Sequence, residues 1–320
     1  MVPWCRSIYN AWLDEEIEIE TISLVVRPHP PFRLDLTVWA LRRRPDNLVD
    51  LWDGTTYRRA LVLLGRPAVV AVRQSGTGLS PLLDVAVTAP TIGKGLVARA
   101  IDVLGATLGL NVEMSGFYEL AAGDDILGPL AERFKGVKPP RFPTIFEGMA
   151  NAVACQQLTL TFGIQLLNRM VTAFGLRESP QAPAAFPRPE EIAALDPEAF
   201  RTLGFSYRKG SALIGLAQTA CTGSLEKLHS LDDEAALGFL CSLTGIGRWS
   251  AEYVLLRSLG RTNIFPGDDV GARNNLERWL GLPAPPDYRE IRRLMARWQP
   301  YAGLIYFHLL LDRLEAAGYL

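Results

Sequence analysis

The stretch LGFLCSLTGIGRWSAEYVLLRSLGRTNIFPGDDVGARNNLERWL, residues 237–280, decides the reading of this chain. Leu237, Leu240 and Leu243 form an apolar stripe that stops at Thr244-Gly245-Ile246-Gly247. A second helix starts at once with Trp249, Ala251, Tyr253, Val254 and Leu255. Two helices joined by a Gly-Ile-Gly turn form a helix-hairpin-helix. The glycines permit unusual φ values and let another backbone approach closely. The turn leaves the first N–H groups of the second helix unpaired and facing outward. A phosphate suits them, and the helix dipole adds to the attraction. After Gly260 come Phe265-Pro266-Gly267-Asp268-Asp269-Val270-Gly271 and another helix. An acidic residue at a helix start is ordinarily a cap worth about 1 kcal/mol. Here two aspartates lie between a proline turn and a helix, just beyond a phosphate-type hairpin.

Outward from this segment the texture is helical on both sides. GDDILGPLAERFKG reads as a helix with an acidic start and a glycine stop, and KGVKPPRFP as a connector. Residues 144–175 hold one or two helices, with apolar residues at spacings of three and four. ESPQAPAAFPRP is a surface loop, and PYAGLIYFHLLLDRLEAAG a terminal helix. The first third differs. Residues 17–26 and 32–41 alternate polar and apolar side chains, which predicts antiparallel strands. LVLLG, PAVVAVRQ and LLDVAVTA follow as strands cut by turn residues. TIGKGLVARAIDVLGATLG, residues 91–109, places Ile92, Leu96, Ala100, Val103, Leu104 and Leu108 on one helical stripe. The expected fold is an α+β N-terminal domain, residues 1–112, in which a helix covers an antiparallel sheet, followed by an all-helical body, residues 113–320.

Composition bounds the function. The 320 residues are 48% hydrophobic and 21% charged, which excludes disorder across the chain. Lys+Arg 33 against Asp+Glu 34 leaves a net charge of -1, so a uniformly basic nucleic-acid coat is excluded, while a local grip by backbone amides is not. Cys5, Cys155, Cys221 and Cys241 have no spacing suited to zinc or an iron–sulfur cluster, and are read as mostly buried thiols in a reducing cytoplasm. His29, His229 and His308 form no cluster, and His308 is read as a satisfied core histidine. No apolar run reaches a membrane span. Asp14, Glu15 and Glu16 stand where a signal peptide needs an apolar core.

The hairpin and the loop after it resemble the helix-hairpin-helix DNA glycosylases. The resemblance rests on Leu240, Leu243, Gly245, Ile246, Gly247, Trp249, Ala251 and Val254 to Gly260, then on Phe265, Pro266, Asp269 and Gly271. Ser250 stands where threonine is usual. RFPTIFEGMANAVACQQLTLTFGIQLLNRMVTAFG and RWQPYAGLIYFHLLL resemble further parts of the same body, so the likeness covers most of residues 113–320. Among subfamilies, the bacterial DNA-3-methyladenine glycosylase II group is the most similar.

The resemblance implies hydrolysis of the N-glycosidic bond of an alkylated base flipped out of double-stranded DNA. Asp269 would be the catalytic carboxylate, with Asp268 its neighbour or cap. Trp249 and Tyr253, one turn apart, would line the base pocket. Thr244, Gly245, Ile246, Gly247 and Arg248 would grip the strand, and Arg273 would meet a phosphate near the lesion. Leu158 would fill the vacated gap, with Gln157 beside it. Trp249 stands where bifunctional relatives carry a nucleophilic lysine, which implies a monofunctional enzyme without lyase activity. No cofactor is expected, apart from a Na or K ion on the backbone carbonyls of Cys241, Leu243 and Ile246. Leu309, Leu310 and Leu311 replace aromatics near the pocket, which opens the base preference. The resemblance further implies a bacterial monomer, cytoplasmic and nucleoid-associated when bound to DNA. The competing readings are a glycosylase for oxidised or deaminated bases and a non-catalytic hairpin binder of DNA structures.

Overall fold

The computed structural model describes residues 19–179 and 181–320. Cys5, the acidic residues 14–16 and the first two residues of the expected 17–26 strand lie outside the described residues.

Five antiparallel strands form one sheet: β1 Glu20–Val26, β2 Leu51–Trp52, β3 Thr56–Leu63, β4 Arg66–Gln74 and β5 Leu83–Ala89, in spatial order β1-β5-β4-β3-β2. The β3–β4 hairpin closes through Leu64 and Gly65, both at positive φ, as a two-residue turn requires. Val70, Val72, Val85 and Val87 face inward, against Leu96, Ala100 and Leu104 of α2 Lys94–Thr107. Alternation therefore read these strands correctly, and the 91–109 stripe gave the helix.

Residues 32–41 depart from expectation. They form helix α1 Leu34–Arg42 rather than a strand. The alternation was misleading because this helix is buried on nearly every side, with Leu34, Leu36, Val38, Trp39, Ala40 and Leu41 all inside. Its faces meet two different cores: Leu34, Val38 and Leu41 pack with the sheet, Leu36, Trp39 and Ala40 with the terminal helices. A segment without a wet face carries no reliable period.

The body is helical throughout: α3 Ser115–Ala122, α4 Leu127–Arg133, α5 Ile145–Cys155, α6 Leu160–Phe174, α7 Pro189–Ala193, α8 Pro197–Thr202, α9 Tyr207–Cys221, α10 Asp233–Ser242, α11 Arg248–Arg257, α12 Val270–Leu280, α13 Tyr288–Met295 and α14 Ala302–Ala316. Helix α3 is an addition to the expected set. The 144–175 segment is two helices, each started by a threonine whose hydroxyl accepts an amide, Thr144 from Glu147 and Thr159 from Phe162. One lobe closes around Met149, Val153, Ile164, Leu213 and Leu240. The other closes around Phe117, Leu130, Leu276, Trp298 and Ile305.

Helix α11 lies where all the cores meet. Val254 and Leu255 enter the first lobe, Leu256 the second, and Tyr253 the core under the sheet. Three buried arginines tie the sheet layer to the body. Arg59 of β3 donates to both oxygens of Glu147 at 2.5 and 2.6 Å and to Asp50 at 2.6 Å. Arg257 donates to the Ala40 and Leu41 carbonyls at the end of α1. Arg43, the residue that ends α1, donates to Tyr253 Oη at 2.8 Å and Asn151 Oδ1 at 2.5 Å.

The cysteine reading needs correction. Cys221 and Cys241 are exposed and Cys155 is half-buried; Cys155 and Cys221 are the last residues of their helices, and Cys241 stands one residue before the end of its own.

Candidate active site

Helices α10 and α11 are joined by the turn Leu243–Gly247, as the Gly-Ile-Gly signal predicts. Gly245 sits at φ +90, and a Cβ there would stand 2.7 Å from Ala212 Cβ of α9, so both the conformation and the space call for glycine. Ile246 is buried and anchors the turn, while Thr244, Gly247 and Arg248 are exposed. No side chain caps the start of α11, and among the described residues nothing accepts from the amides of Gly247, Arg248, Trp249 and Ser250. Gly247 and Arg248 among them are exposed, as an anion site needs.

The 264–269 loop is fixed from two sides. Gly303 of α14 packs so tightly against it that a Cβ would lie 2.6 Å from the Ile264 carbonyl. The buried Glu252 of α11 accepts from the Gly267 amide at 3.2 Å and from Tyr288 Oη at 2.6 Å. Burial raises this carboxyl above its ordinary pKa. The loop delivers Asp269 to the start of α12, where Oδ1 accepts from the Ala272 amide at 2.9 Å. Its other oxygen, Oδ2, accepts from Trp249 Nε1 at 3.0 Å and Tyr306 Oη at 3.3 Å. The aspartate is therefore a helix cap and a cavity wall at once. Asp268, its neighbour, turns the other way, into the hollow beside the hairpin.

Asp269, Trp249, Tyr253, Tyr306 and Leu158 line one cavity of about 740 Å³. That volume suits a small flat ligand with room to spare. The Trp249 and Tyr253 rings are 5.7 Å apart and inclined at 35°. Leu158 is 40% exposed at the rim, so it is not a core leucine. Gln157 beside it is exposed and adopts φ +55. The structure thus brings together Asp269, Trp249, Tyr253 and Leu158. Arg273 does not line the cavity, and its Nε donates to the Pro286 carbonyl at 2.8 Å. Arg248 lies 4.7 Å over the Tyr288 ring, outside the cavity.

Several lining residues escaped sequence reasoning. Tyr306 supplies the ring that Leu309–Leu311 seemed to lack, one turn before Leu310 on the same helix face, and the i,i+4 relation was its available signal. Arg43 comes from the misread α1, and nothing local announced it. Cys155 also lines the cavity, and burial pushes its thiol pKa up, away from nucleophilic thiolate. No group of three or more His, Cys, Asp or Glu with metal-ligand geometry occurs among the described residues. No described helix is long and apolar enough to cross a membrane.

A carboxylate on an aromatic-walled cleft beside a hairpin of two helices defines a helix-hairpin-helix protein. Residues 150–300 match the model of the HhH-GPD superfamily base excision DNA repair proteins. The chain is 31% identical over 204 residues to a DNA-3-methyladenine glycosylase of Bacillus subtilis, covering 62% of this chain and 67% of that protein. It is 29% identical over 236 residues to DNA-3-methyladenine glycosylase 2 of Escherichia coli, covering 68% and 80%. Among solved structures, the 3-methyladenine DNA glycosylase of Archaeoglobus fulgidus superposes with a TM-score of 0.81 at 27% identity, over 92% of this chain and 99% of that one. The chain belongs to the HhH-GPD superfamily of base excision DNA repair proteins.

Proposed function

We propose that this chain is a monofunctional DNA N-glycosylase that removes alkylated bases of the 3-methyladenine type from double-stranded DNA. The observation that carries the reading is the Asp269 carboxylate on the cavity wall, held by Trp249 and Tyr306 beside the inclined Trp249 and Tyr253 rings. The relatives named for the same activity support it.

In this mechanism the hairpin amides take a phosphate of the lesion-bearing strand. The nucleotide swings out at a cost of a few kcal/mol, least for a base that pairs badly. Leu158 enters the space left in the stack. The base lies against Trp249 and Tyr253, where stacking and cation–π attraction favour an electron-poor alkylated ring by about 1–3 kcal/mol. As the bond from C1′ to the base breaks, the base leaves with the electron pair and the sugar becomes positive. Asp269 stabilises that charge electrostatically and orients the water that adds to C1′. No lysine lines the cavity, which supports hydrolysis without a Schiff base.

The hairpin also suits a monovalent cation. The Cys241 and Ile246 carbonyls receive no backbone hydrogen bond across the turn, and Leu243 receives one, from Ile246 at 3.1 Å. A Na or K ion there would add positive charge near the bound phosphate.

Arg43 favours a second reading. Its buried guanidinium in the lining repels a cationic base and suits a neutral one with a carbonyl, such as a deaminated purine. Mass spectrometry of bases released from alkylated, oxidised and deaminated DNA separates the two. Free alkylated base from wild type and none from Asp269→Asn is the expected result. Release by neither protein from any substrate would leave a non-catalytic binder.

A further inference from the structure

The two turns assigned to DNA, the hairpin and the Gln157–Leu158 turn, lie almost ninety residues apart in sequence, and one side chain spans them. Gln156 ends α5, and its Nε2 donates to the Gly245 carbonyl at 2.8 Å and to Ser250 Oγ at 2.9 Å. A carbonyl oxygen only accepts, so the amide orientation follows from that contact. Both protons of the amide are thereby used on the crest and first turn of the hairpin. The main chain of the same residue leads directly into Gln157 and the exposed Leu158. From the other side, Lys209 Nζ of α9 donates to the Ala154 carbonyl at 3.0 Å and to the Gln156 carbonyl at 2.8 Å. The three pieces line a hollow of about 550 Å³ between the hairpin and Gln156–Gln157.

We propose that Gln156 is a positioning residue that couples capture of the DNA strand at the hairpin to seating of the Leu158 wedge. The proposal rests on the glycosylase reading above. The hairpin amides and the wedge then form one rigid body. A strand held at Gly247–Ser250 meets Leu158 at a fixed offset, and the wedge enters the stack at the nucleotide next to the bound phosphate. Without the amide bridge both turns persist, and the wedge loses its register with the strand.

The test is a double-mutant cycle on single-turnover base excision from alkylated duplex, with 2-aminopurine fluorescence reporting nucleotide extrusion. Gln156→Glu keeps the side-chain volume but has no proton for the Gly245 carbonyl. It is expected to lower excision and extrusion roughly tenfold, the worth of one to two hydrogen bonds. In a Leu158→Ala background the same substitution is expected to cost less than about twofold, because its effect passes through the wedge. If Gln156→Glu does not fold, Lys209→Met frees the same turn from its other face and carries the same cycle. Wild-type protein that releases no base from any damaged DNA overturns the glycosylase reading itself. An active wild type in which the glutamate variant matches it, or in which the two losses multiply independently, overturns the coupling alone.

Discussion

Asp269 does two jobs with two oxygens: Oδ1 starts α12, and Oδ2 faces the cavity wall with Trp249 and Tyr306. Asparagine caps helices as well as aspartate does but carries no charge. Asp269→Asn is therefore expected to keep the helix start and lower the thermal midpoint only by the lost Trp249 contact, while excision falls on the order of a hundredfold or more. A parallel loss of stability and activity would mean that the residue only builds the helix. At Trp249, an indole replaces any nucleophilic amine. Borohydride added during turnover is expected to trap no protein–DNA adduct, read as no shifted band on a denaturing gel. His308 belongs to the same scale. Burial lowers its pKa from 6.5 to about 4, and Nδ1 donates to the Leu304 carbonyl at 2.8 Å, so the folded ring is neutral. The unfolded chain takes up the proton at higher pH than the folded one. Stability from this residue is then complete above pH 6.5 and lost as pH falls toward 4, by about 1.4 kcal/mol per unit traversed. His308→Met is expected to flatten that part of the stability–pH curve measured by denaturant unfolding.

At the scale of elements, the chain announced what depends on local chemistry. The Gly-Ile-Gly turn and the Pro266–Gly267 bend are short-range signals, and each stands where the sequence put it, whereas the helix cap falls on Asp269 and not on Asp268. The strands β3, β4 and β5 have one wet face, so their period survived. Helix α1 has almost none, and its apolar run read as a strand. The break between α5 and α6 was half legible: the resemblance marked Gln157 and Leu158, but the amide bridge of Gln156 depends on a hairpin far along the chain. Arg43 was illegible for the same reason. Its partners Tyr253 and Asn151 are 210 and 108 residues away, and no periodicity encodes such a meeting.

For the molecule as a whole, the sheet layer is fastened to the body by buried charge rather than by apolar contact alone. Arg59, with 1% of its side chain exposed, sits between Asp50 and Glu147 at 2% and 3%. Removing Arg59 leaves two buried carboxylates without their shared cation. Arg59→Ala is expected to cost roughly 3–5 kcal/mol in chemical unfolding. Replacing Arg59, Asp50 and Glu147 together with apolar residues of similar volume is expected to recover part of that loss. Helix α5, which carries Glu147, also ends in the Gln156 turn, so the sheet braces that turn at one helix's length.

The placing of α11 has an evolutionary corollary. Because its neighbouring residues answer to separate interiors, a change at Tyr253, Val254 or Leu256 must satisfy one packing problem without disturbing the adjoining two. The α14 side of the cavity is freer at Leu310, which has part of its surface open and, unlike Tyr306, no bond to Asp269 to keep. Altered lesion preference, whether inherited or selected in the laboratory, should accumulate on that terminal helix while the hairpin's second helix stays nearly invariant.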